Sequence, residues 1–582
     1  MNKLFRLVSW LVLLGMILSA CSPAATTVAP TQASAATAAP TQVSAANTPL
    51  PTNTTEAKPA ATKASELTIA PGGQFPIVNQ KITLKVLLMP EANTTDYVNN
   101  EFTKWLEEKT NIHLDITLAP QDQTEADQKL NAIFATGDLP DIILGWGNMT
   151  LDREEALAQQ GLIVPINDYI DKYGVETQRI FTEMPSAKNA VAVNDGKIYS
   201  VPDVNECYHC THAQKMWVYK PWLDKLGLKV PTTTDEFEQM LIAFKTKDPN
   251  GNGKADEIPL SGVVSWHGSL ADYLMNPFVY YQTVSSPSGY YLDNGVIKAP
   301  YVEDGWKQGL KYLNKLYSEG LIDPQAFTNT EDQAKALGEN PVPILGAMPS
   351  GHEGIFDEVN GKSGRWLEYI PIPPLKGPTG IQQNPTTTNV TGPGRFLITK
   401  ANKYPEASFR LSDLLMSWEG TTREYYGVPG VDWDYVKPGE NLTAIGGGAA
   451  KYKELVIHTT PHAQSWGQTA PEYRPASYRE SQADTKDQPY EGMLFRWSKD
   501  NYAPYDVDKT IPPLVITPDL ATKMGDLSTT ITNLVNESFA GFVNGQKNID
   551  KDWDAYVKSL NDAGLNDLIK MYQDAYNAKY KK

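Results

Sequence analysis

Positive charge is in short supply in this chain of 582 residues: 51 Lys and Arg stand against 68 Asp and Glu, giving a net charge of −17 and a pI near 5.0. No nucleic-acid partner is expected, because phosphate contact needs a basic face. The same balance keeps the body off an anionic bilayer, although ordinary salt screens that repulsion within about 10 Å. Cysteine is nearly absent, with three residues in all. Beyond the N-terminal apolar stretch no segment is apolar enough to span a bilayer. Catalytic motifs are missing too: there is no H-E-x-x-H, no G-x-S-x-G and no P-loop. Carboxylates are too common for a pair such as Glu472 and Glu480 to indicate a retaining glycosidase, whose two acids must stand about 5 Å apart across a cleft. No enzymatic activity is expected.

What is present begins with Lys3 and Arg6, the apolar stretch from Leu7 to Leu18, and Leu18-Ser19-Ala20-Cys21. A short apolar run closed by small residues before a lone Cys reads as a lipoprotein signal peptide, residues 1–20, with Cys21 as the lipidated first residue of the mature chain, anchored by fatty-acyl groups such as palmitate. The plainer alternative is a secreted protein whose Cys is accidental. Residues 21–68 are Ala, Thr, Pro and Ser almost throughout, without apolar periodicity. They form no core and act as a tether reaching on the order of 35 to 40 Å. The expected place is therefore extracytoplasmic, lipid-anchored at the cell membrane. The remaining body is too long for one hydrophobic core and implies two lobes or more.

The stretch Asp248-Pro249-Asn250-Gly251-Asn252-Gly253-Lys254-Ala255-Asp256-Glu257 alternates oxygen donors around two glycines. This is the first half of an EF-hand-like calcium loop, in which Asp248, Asn250 and Asn252 point inward and the Lys254 carbonyl adds a ligand. Pro259 occupies the place of the usual bidentate Glu, so closure falls to Asp256 and Glu257. A polar Asn/Gly turn without metal is the competing reading. Cys207 and Cys210 lie in Glu206-Cys207-Tyr208-His209-Cys210-Thr211-His212. Outside the cytoplasm a disulfide is the default; zinc, a redox-active pair and two free thiols remain open.

Ile82 to Met89 is a continuous apolar run, expected as a strand covered on both faces. Asn99 to Lys109 carries Phe102, Trp105 and Leu106 at helical spacing, Ile112 to Leu118 reads as a strand, Glu125 to Ala135 as a helix, and Leu139 to Trp146 contains a third strand. Strand and helix in alternation predict a parallel α/β sheet, with ligand groups beyond the strand ends at Glu91, Asn93, Trp146 and Asn148. Farther on, Met216 to Tyr219 is a strand. Pro221 to Gly227 is a short helix, and Thr234 is expected to cap a helix with Phe237, Met240, Leu241 and Phe244 on its apolar stripe. The tail, Thr529 to Phe542 and Asp552 to Tyr580, is helical by its spacing.

Several of these motifs occur together in one known family. Gly137-Asp138-Leu139-Pro140-Asp141-Ile142, Asp195-Gly196-Lys197-Ile198-Tyr199, Trp222-Leu223-Asp224-Lys225-Leu226-Gly227, the Asp248 loop, Gly320-Leu321-Ile322-Asp323-Pro324 and Gly427-Val428-Pro429-Gly430 run in order across the body. With the lipobox they resemble an extracellular solute-binding protein of a carbohydrate ABC importer, in the lipoprotein branch that includes the alginate-binding proteins. The resemblance implies an α/β, two-lobed, periplasmic-binding-protein-like type II fold with hinge strands between lobes. By analogy the first crossing falls near Pro202 to Thr211 and the return near Thr388 to Phe396. Residues 69–205 and about 396–440 would form the N-terminal lobe, and about 206–395 and about 441–582 the C-terminal lobe. It further implies a structural calcium at 248–257, away from the sugar. The chain would be a monomeric receptor that captures an oligosaccharide and delivers it to ABC permease subunits. The rival readings are a surface glycan-active enzyme and a binder of peptides or another solute.

The resemblance places Trp146 where a sugar-stacking aromatic stands. Trp266 and His267 follow a second-lobe strand, Arg395 sits at the return crossing, and Trp433 follows the Gly430 turn. Met348, Ser350 and His352 correspond loosely to a sugar-facing loop. Each has a plainer role: a Trp among 13 is often core, His267 can be a satisfied structural histidine, and Arg395 can pair with a carboxylate across the hinge. A neutral glycan is favoured over a uronic one by the acidic balance, although Arg395, Arg474, Arg479 and Arg496 could make a locally basic cleft.

Overall fold

The computed structural model describes residues 66–581 apart from Ala92, Asn148, Asn194, 388–390, Gly394 and 459–460. The expected signal peptide, Cys21, nearly all of the tether, and Asn148 lie outside the described residues.

The alternating pattern produces β1 (Ile82–Leu88), α1 (Glu101–Thr110), β2 (Ile112–Leu118), α2 (Gln123–Thr136) and β3 (Ile142–Leu144). β1 pairs in parallel with β2 from Ile82↔Ile112 to Leu88↔Leu118, and with β3 from Val86↔Ile142 to Leu88↔Leu144. The caps follow the sequence: Asn100 accepts from the Phe102 amide and Asn111 ends α1 in the left-handed region, while Asp122 accepts from the Glu125 amide and Gly137 ends α2. Burial on both faces holds only for the second half of β1. Val86, Leu87 and Leu88 are all buried, whereas Thr83 and Lys85 are exposed, so the first half is covered on one face. Ile82, Leu84, Val86 and Leu88 pack with Phe102 and Leu106; Leu87 and Ile143 pack on the other side with Leu130 and Trp146.

The chain leaves through β4 (Pro202–Asn205) and enters β5 (Lys215–Tyr219), every residue of which is buried. In α3 (Thr234–Thr246) the cap is Thr233, whose side chain accepts from the Glu236 amide, one residue before the expected Thr234; Phe237, Met240, Leu241 and Phe244 are buried as their spacing requires. β5 is the centre of an antiparallel sheet flanked by β6 (Ala347–Ser350) and β7 (Tyr369–Ile372). The return is β8 (Thr391–Pro393), antiparallel to β4, and then β9 (Phe396–Ile398), which adds antiparallel to β3 and completes the order β9-β3-β1-β2. Downstream of α4 (Trp418–Tyr426), β10 (Tyr473–Arg474) pairs in parallel with β4. β4, β8 and β10 therefore share one three-stranded sheet, where the sequence pointed to two strands.

β10 also bears on the lobe boundary expected near residue 440. Trp466, Ala470 and Tyr473 pack in the core of the first sheet, so we place the final stretch of the second lobe from α5 (Tyr490–Trp497) onward. The tail forms α6 (Pro518–Val543), α7 (Ile549–Asp562) and α8 (Leu565–Tyr580), the last two divided at Gly564, whose φ of +97° breaks the expected single helix. Ile531, Val535, Phe539, Trp553, Tyr556 and Leu560 join the core around β5. Each such apolar side chain contributes about 1.5–3 kcal/mol relative to exposure.

Candidate functional site

A cavity of 710 Å³ opens beside the crossing strands and is lined from both bodies. Asn205 at the end of β4 is followed by Cys207, His209 and Cys210, and the two cysteines are joined in a disulfide, one of the four states left open by the sequence. Tyr425 at the end of α4, His458 and Gln468 line it from one side; Trp266, His267, Thr283 and His352, with Tyr490 and Glu491 on α5, line it from the other.

Trp266 and His267 stand in the cavity because their backbone is bent into the left-handed region, with φ of +31° and +59°. L-residues adopt it at some cost, and the surroundings must hold them there. The Gly268 amide donates to the Ser265 carbonyl at 2.8 Å and the Val263 amide to the Gly268 carbonyl at 3.0 Å. A Cβ on Gly268 would lie 2.1 Å from Val263 Cγ1, so only glycine closes this turn. The Gly351 amide donates to the Trp266 carbonyl at 2.9 Å, and a Cβ on Gly351 would meet the indole Nε1 at 2.2 Å. The result is a tryptophan 47% exposed, 6.3 Å between ring centroids from His352. The same turn borders a separate cavity of 370 Å³.

The charges in the main cavity cancel locally. Arg479 donates to Glu491 at 2.8 Å and to Asn205 Oδ1 at 2.9 Å. Burial alone would raise the Glu491 carboxyl, but Arg479 outweighs it and brings the group down to about 2. Burial pushes the imidazoles of His209 down to about 3 and of His352 and His267 to about 4, so all three are neutral at pH 7. His352 Nδ1 is 2.8 Å from the Tyr490 hydroxyl, and His458 Nδ1 is 2.9 Å from Glu454 Oε1. Tyr425 is stacked from below by Arg474, 3.7 Å from its ring centroid, while Arg474 is itself bound to Glu472 at 2.6 Å. Such a surface offers one open aromatic face and several neutral donors and acceptors, the provision a polyhydroxylated ligand requires.

The structure separates the residues singled out from the sequence. Trp266 and His267 reach the main cavity, and His352 does; Met348 and Ser350 are fully buried in β6. Trp146 is 1% exposed and donates its indole N–H to Asp127 at 3.2 Å, so neither ring face is open for the expected stacking. Trp433 is 0% exposed, its Nε1 bound to the Gly427 carbonyl at 3.0 Å, and is likewise a core residue. Arg395 lines an adjoining cavity of 390 Å³ with Asp203, Ser285 and Leu514; its Nε lies 3.5 Å from Asp203, its Nη1 4.0 Å from the half-buried Glu91, and it donates to the Gln468 carbonyl. It pairs with carboxylates, as its plainer role required. Sequence reasoning passed over Tyr425, His458, Gln468, Tyr490 and Glu491. Only Tyr425 had a signal nearby, the Gly427–Gly430 motif.

The Asp248 loop lines none of these three cavities. Asp248 Oδ1 accepts from the Gly251 and Asn252 amides and Oδ2 from the Gly253 amide, winding the backbone around that carboxylate. Gly251 and Gly253 have φ of +76° and +74°, as sharp turns here require. The side-chain amides of Asn250 and Asn252 donate to Asp256 at 2.8–3.0 Å and hold its carboxyl below the usual range. Glu257 Oε1 is buried with no hydrogen-bond partner among the described residues. An orphaned buried oxygen on Glu257, next in the chain to Asp256, fits the chemistry of a hard cation: Asp248, Asn250, Asn252, Asp256 and Glu257 with the Lys254 carbonyl would hold it.

Comparison with known proteins gives the family and the fold. The family model for bacterial extracellular solute-binding proteins matches residues 91–421. The fructooligosaccharide ABC transporter substrate-binding protein FusA of Streptococcus pneumoniae is 29% identical over 522 residues, 87% of this chain and 92% of its own length. Its structure in complex with kestose superposes with a TM-score of 0.71 at 26% identity, covering 85% of this chain and 99% of that one, and it has also been solved as an EF-hand mutant in complex with fructo-nystose. A solute-binding protein of Bifidobacterium longum infantis associated with a human-milk-oligosaccharide-binding ABC transporter gives a TM-score of 0.69 at 25% identity, covering 86% and 100% of the two chains. The alginate-binding protein AlgQ2, at 24% identity, a TM-score of 0.63 and coverage of 86% and 98%, shares the fold. That fold is two-lobed, α/β and periplasmic-binding-protein-like.

Proposed function

The chain belongs to the bacterial extracellular solute-binding proteins, and on that premise we propose that it captures a neutral oligosaccharide between its lobes and hands it to the permease of an ABC importer. The observation that carries this reading is the main cavity itself: an open indole face at Trp266, neutral imidazoles at His209, His267 and His352, and an arginine already bound to Glu491 and Asn205. Relatives that superpose over most of this chain bind oligosaccharides by their names. Acidic sugars would need a free cation. Among the described residues lining the main and adjoining cavities, the guanidinium groups are Arg479 and Arg395, and both face carboxylates. Binding that favours the closed arrangement of the lobes would present the ligand to a permease.

Calorimetric titration with a panel of neutral and uronic oligosaccharides and peptides, followed by product analysis, tests the reading. Stoichiometric binding of a neutral glycan without turnover is expected. Cleavage would replace the receptor by an enzyme, and binding of peptides alone would replace the sugar.

Calcium at the Asp248 loop would act as a structural clamp, fixing the end of α3 away from the ligand. A neighbour described as an EF-hand mutant supports a metal loop in related proteins. Occupancy at about 100 times Kd contributes about 2.7 kcal/mol, so chelation is expected to lower the melting temperature by roughly 5 °C, and Asp248→Ala to remove that response. Identical melting with and without calcium would reduce the loop to a turn.

The lipobox makes Cys21 the anchor. Intact mass of protein from native membranes is expected to show a mature chain starting at an acylated Cys21; an unmodified thiol there would refute the anchor while leaving the binding function untouched.

A further inference from the structure

From His267 a chain of hydrogen bonds runs through Thr283 in the cavity wall to the buried Asp272. His267 Nδ1 is 2.9 Å from Thr283 Oγ1, and the Thr283 hydroxyl donates to Asp272 Oδ1 at 3.1 Å. Asp272 is 5% exposed. The chain is held at its far end: the Thr283 amide donates to Gln214 Oε1 at 3.0 Å, and Gln214 Nε2 donates to the Asp272 and Tyr281 carbonyls. These bonds fix the backbone of Thr283.

Proton accounting then sets the imidazole. A hydroxyl has one hydrogen, and Thr283 gives it to a carboxylate, which when ionised can only accept. The Thr283 oxygen therefore accepts from His267, and Nδ1 must carry the hydrogen. Burial brings the Asp272 carboxyl up to about 7 and the His267 imidazole down to about 4, so at pH 8 the first is ionised and the second neutral. A neutral imidazole has a single N–H. Nε2 is left as a bare acceptor, and it has no hydrogen-bond partner among the described residues.

We propose that Asp272 and Thr283 lock His267 in the Nδ1–H form, making its Nε2 an acceptor that selects a ligand hydroxyl at that point of the cleft. Asp272 and Thr283 are positioning residues; His267 is the specificity-determining contact. This rests on the oligosaccharide reading for the identity of the hydroxyl donor, but the tautomer does not depend on it. The strained turn gives the arrangement its purpose: φ of +59° at His267 is maintained although it packs no core, and it brings the imidazole to Thr283.

The test uses the soluble body with 15N-labelled histidine at pH 8, with His267 assigned by difference from His267→Gln. A protonated Nδ1 and an unprotonated Nε2 are expected in the free protein. Thr283→Val, which keeps shape and the backbone bond to Gln214, is expected to mix the tautomers and to weaken binding of the tightest neutral oligosaccharide of the panel about tenfold; Thr283→Ser restores both. Protonation at Nε2 in the wild type overturns the proposal, as does a Thr283→Val variant with unchanged tautomer and affinity. An Nδ1–H His267 in a protein that binds no sugar would remove the sugar reading and leave the tautomer assignment standing.

Discussion

Trp266→Ala is expected to weaken oligosaccharide binding by on the order of thirtyfold or more while leaving the melting temperature nearly unchanged. The two halves of this expectation have one cause. The indole is 47% exposed and sits on a left-handed turn closed by Gly268 and roofed against Gly351. Folding gains little from its burial, so little is lost without it. A ligand stacking on its face would bury what the fold leaves open, and a central aromatic contact of this kind is commonly worth about 2 kcal/mol or more, roughly the thirtyfold stated. Trp433→Ala is the control with the opposite signature. That ring is wholly buried against Trp418 and Tyr435, and its loss should cost about 3–5 kcal/mol of stability through the cavity left behind. Calorimetry and thermal melting of both variants separate binding wall from core; a Trp266→Ala protein that binds like the wild type would falsify the placement of the ligand.

Glu491→Gln is expected to turn a cleft for neutral sugars into one that accepts uronic oligosaccharides, with at least a tenfold gain for the acidic ligand. The substitution keeps shape and removes the charge that neutralises Arg479. Arg479 then retains Asn205 at 2.9 Å but faces the cavity as a cation without its carboxylate. Carboxylate ligands supply the missing partner, in bidentate geometry if they can. The two side chains are 13% and 12% exposed, so the stability loss should fall between those of exposed and fully buried pairs, roughly 2 kcal/mol. The sign with pH follows from the depressed carboxyl. Its folded value of about 2 lies below the ordinary Glu value, so its contribution is complete above about pH 5 and is lost as pH falls toward 2. The variant should lack that segment of the acid-denaturation curve. Unchanged selectivity between neutral and uronic ligands would mean that the pair does not face the bound sugar.

The elements were legible where periodicity and caps agree. The apolar run of β1 and Phe102 and Leu106 on α1 each state a local preference that the tertiary structure keeps. Thr233 taking the cap from Thr234 is a one-residue error of the kind expected where two equivalent hydroxyls are adjacent. The third strand of the β4 sheet was invisible because Tyr473 and Arg474 form only two residues of ladder, too short for any period to register.

The cleft divides along the same line. Sequence alone determined the alternating α/β order, the loop whose oxygens recur around Gly251 and Gly253, the neighbourhood of the two cysteines, and the acidic balance, because each is written in local spacing or in composition. Only the tertiary structure decided which tryptophan keeps an open face. Trp146, Trp266 and Trp433 are one residue type with one propensity, and their exposures of 1%, 47% and 0% come from what distant segments place against them: Asp127 beside the first, Gly351 beneath the second, Trp418 over the third. Whether an aromatic face stays open is a property of the packing around it. Likewise Arg479 carries a charge in any sequence reading, and it is the chain folding Glu491 back to within 2.8 Å that cancels it.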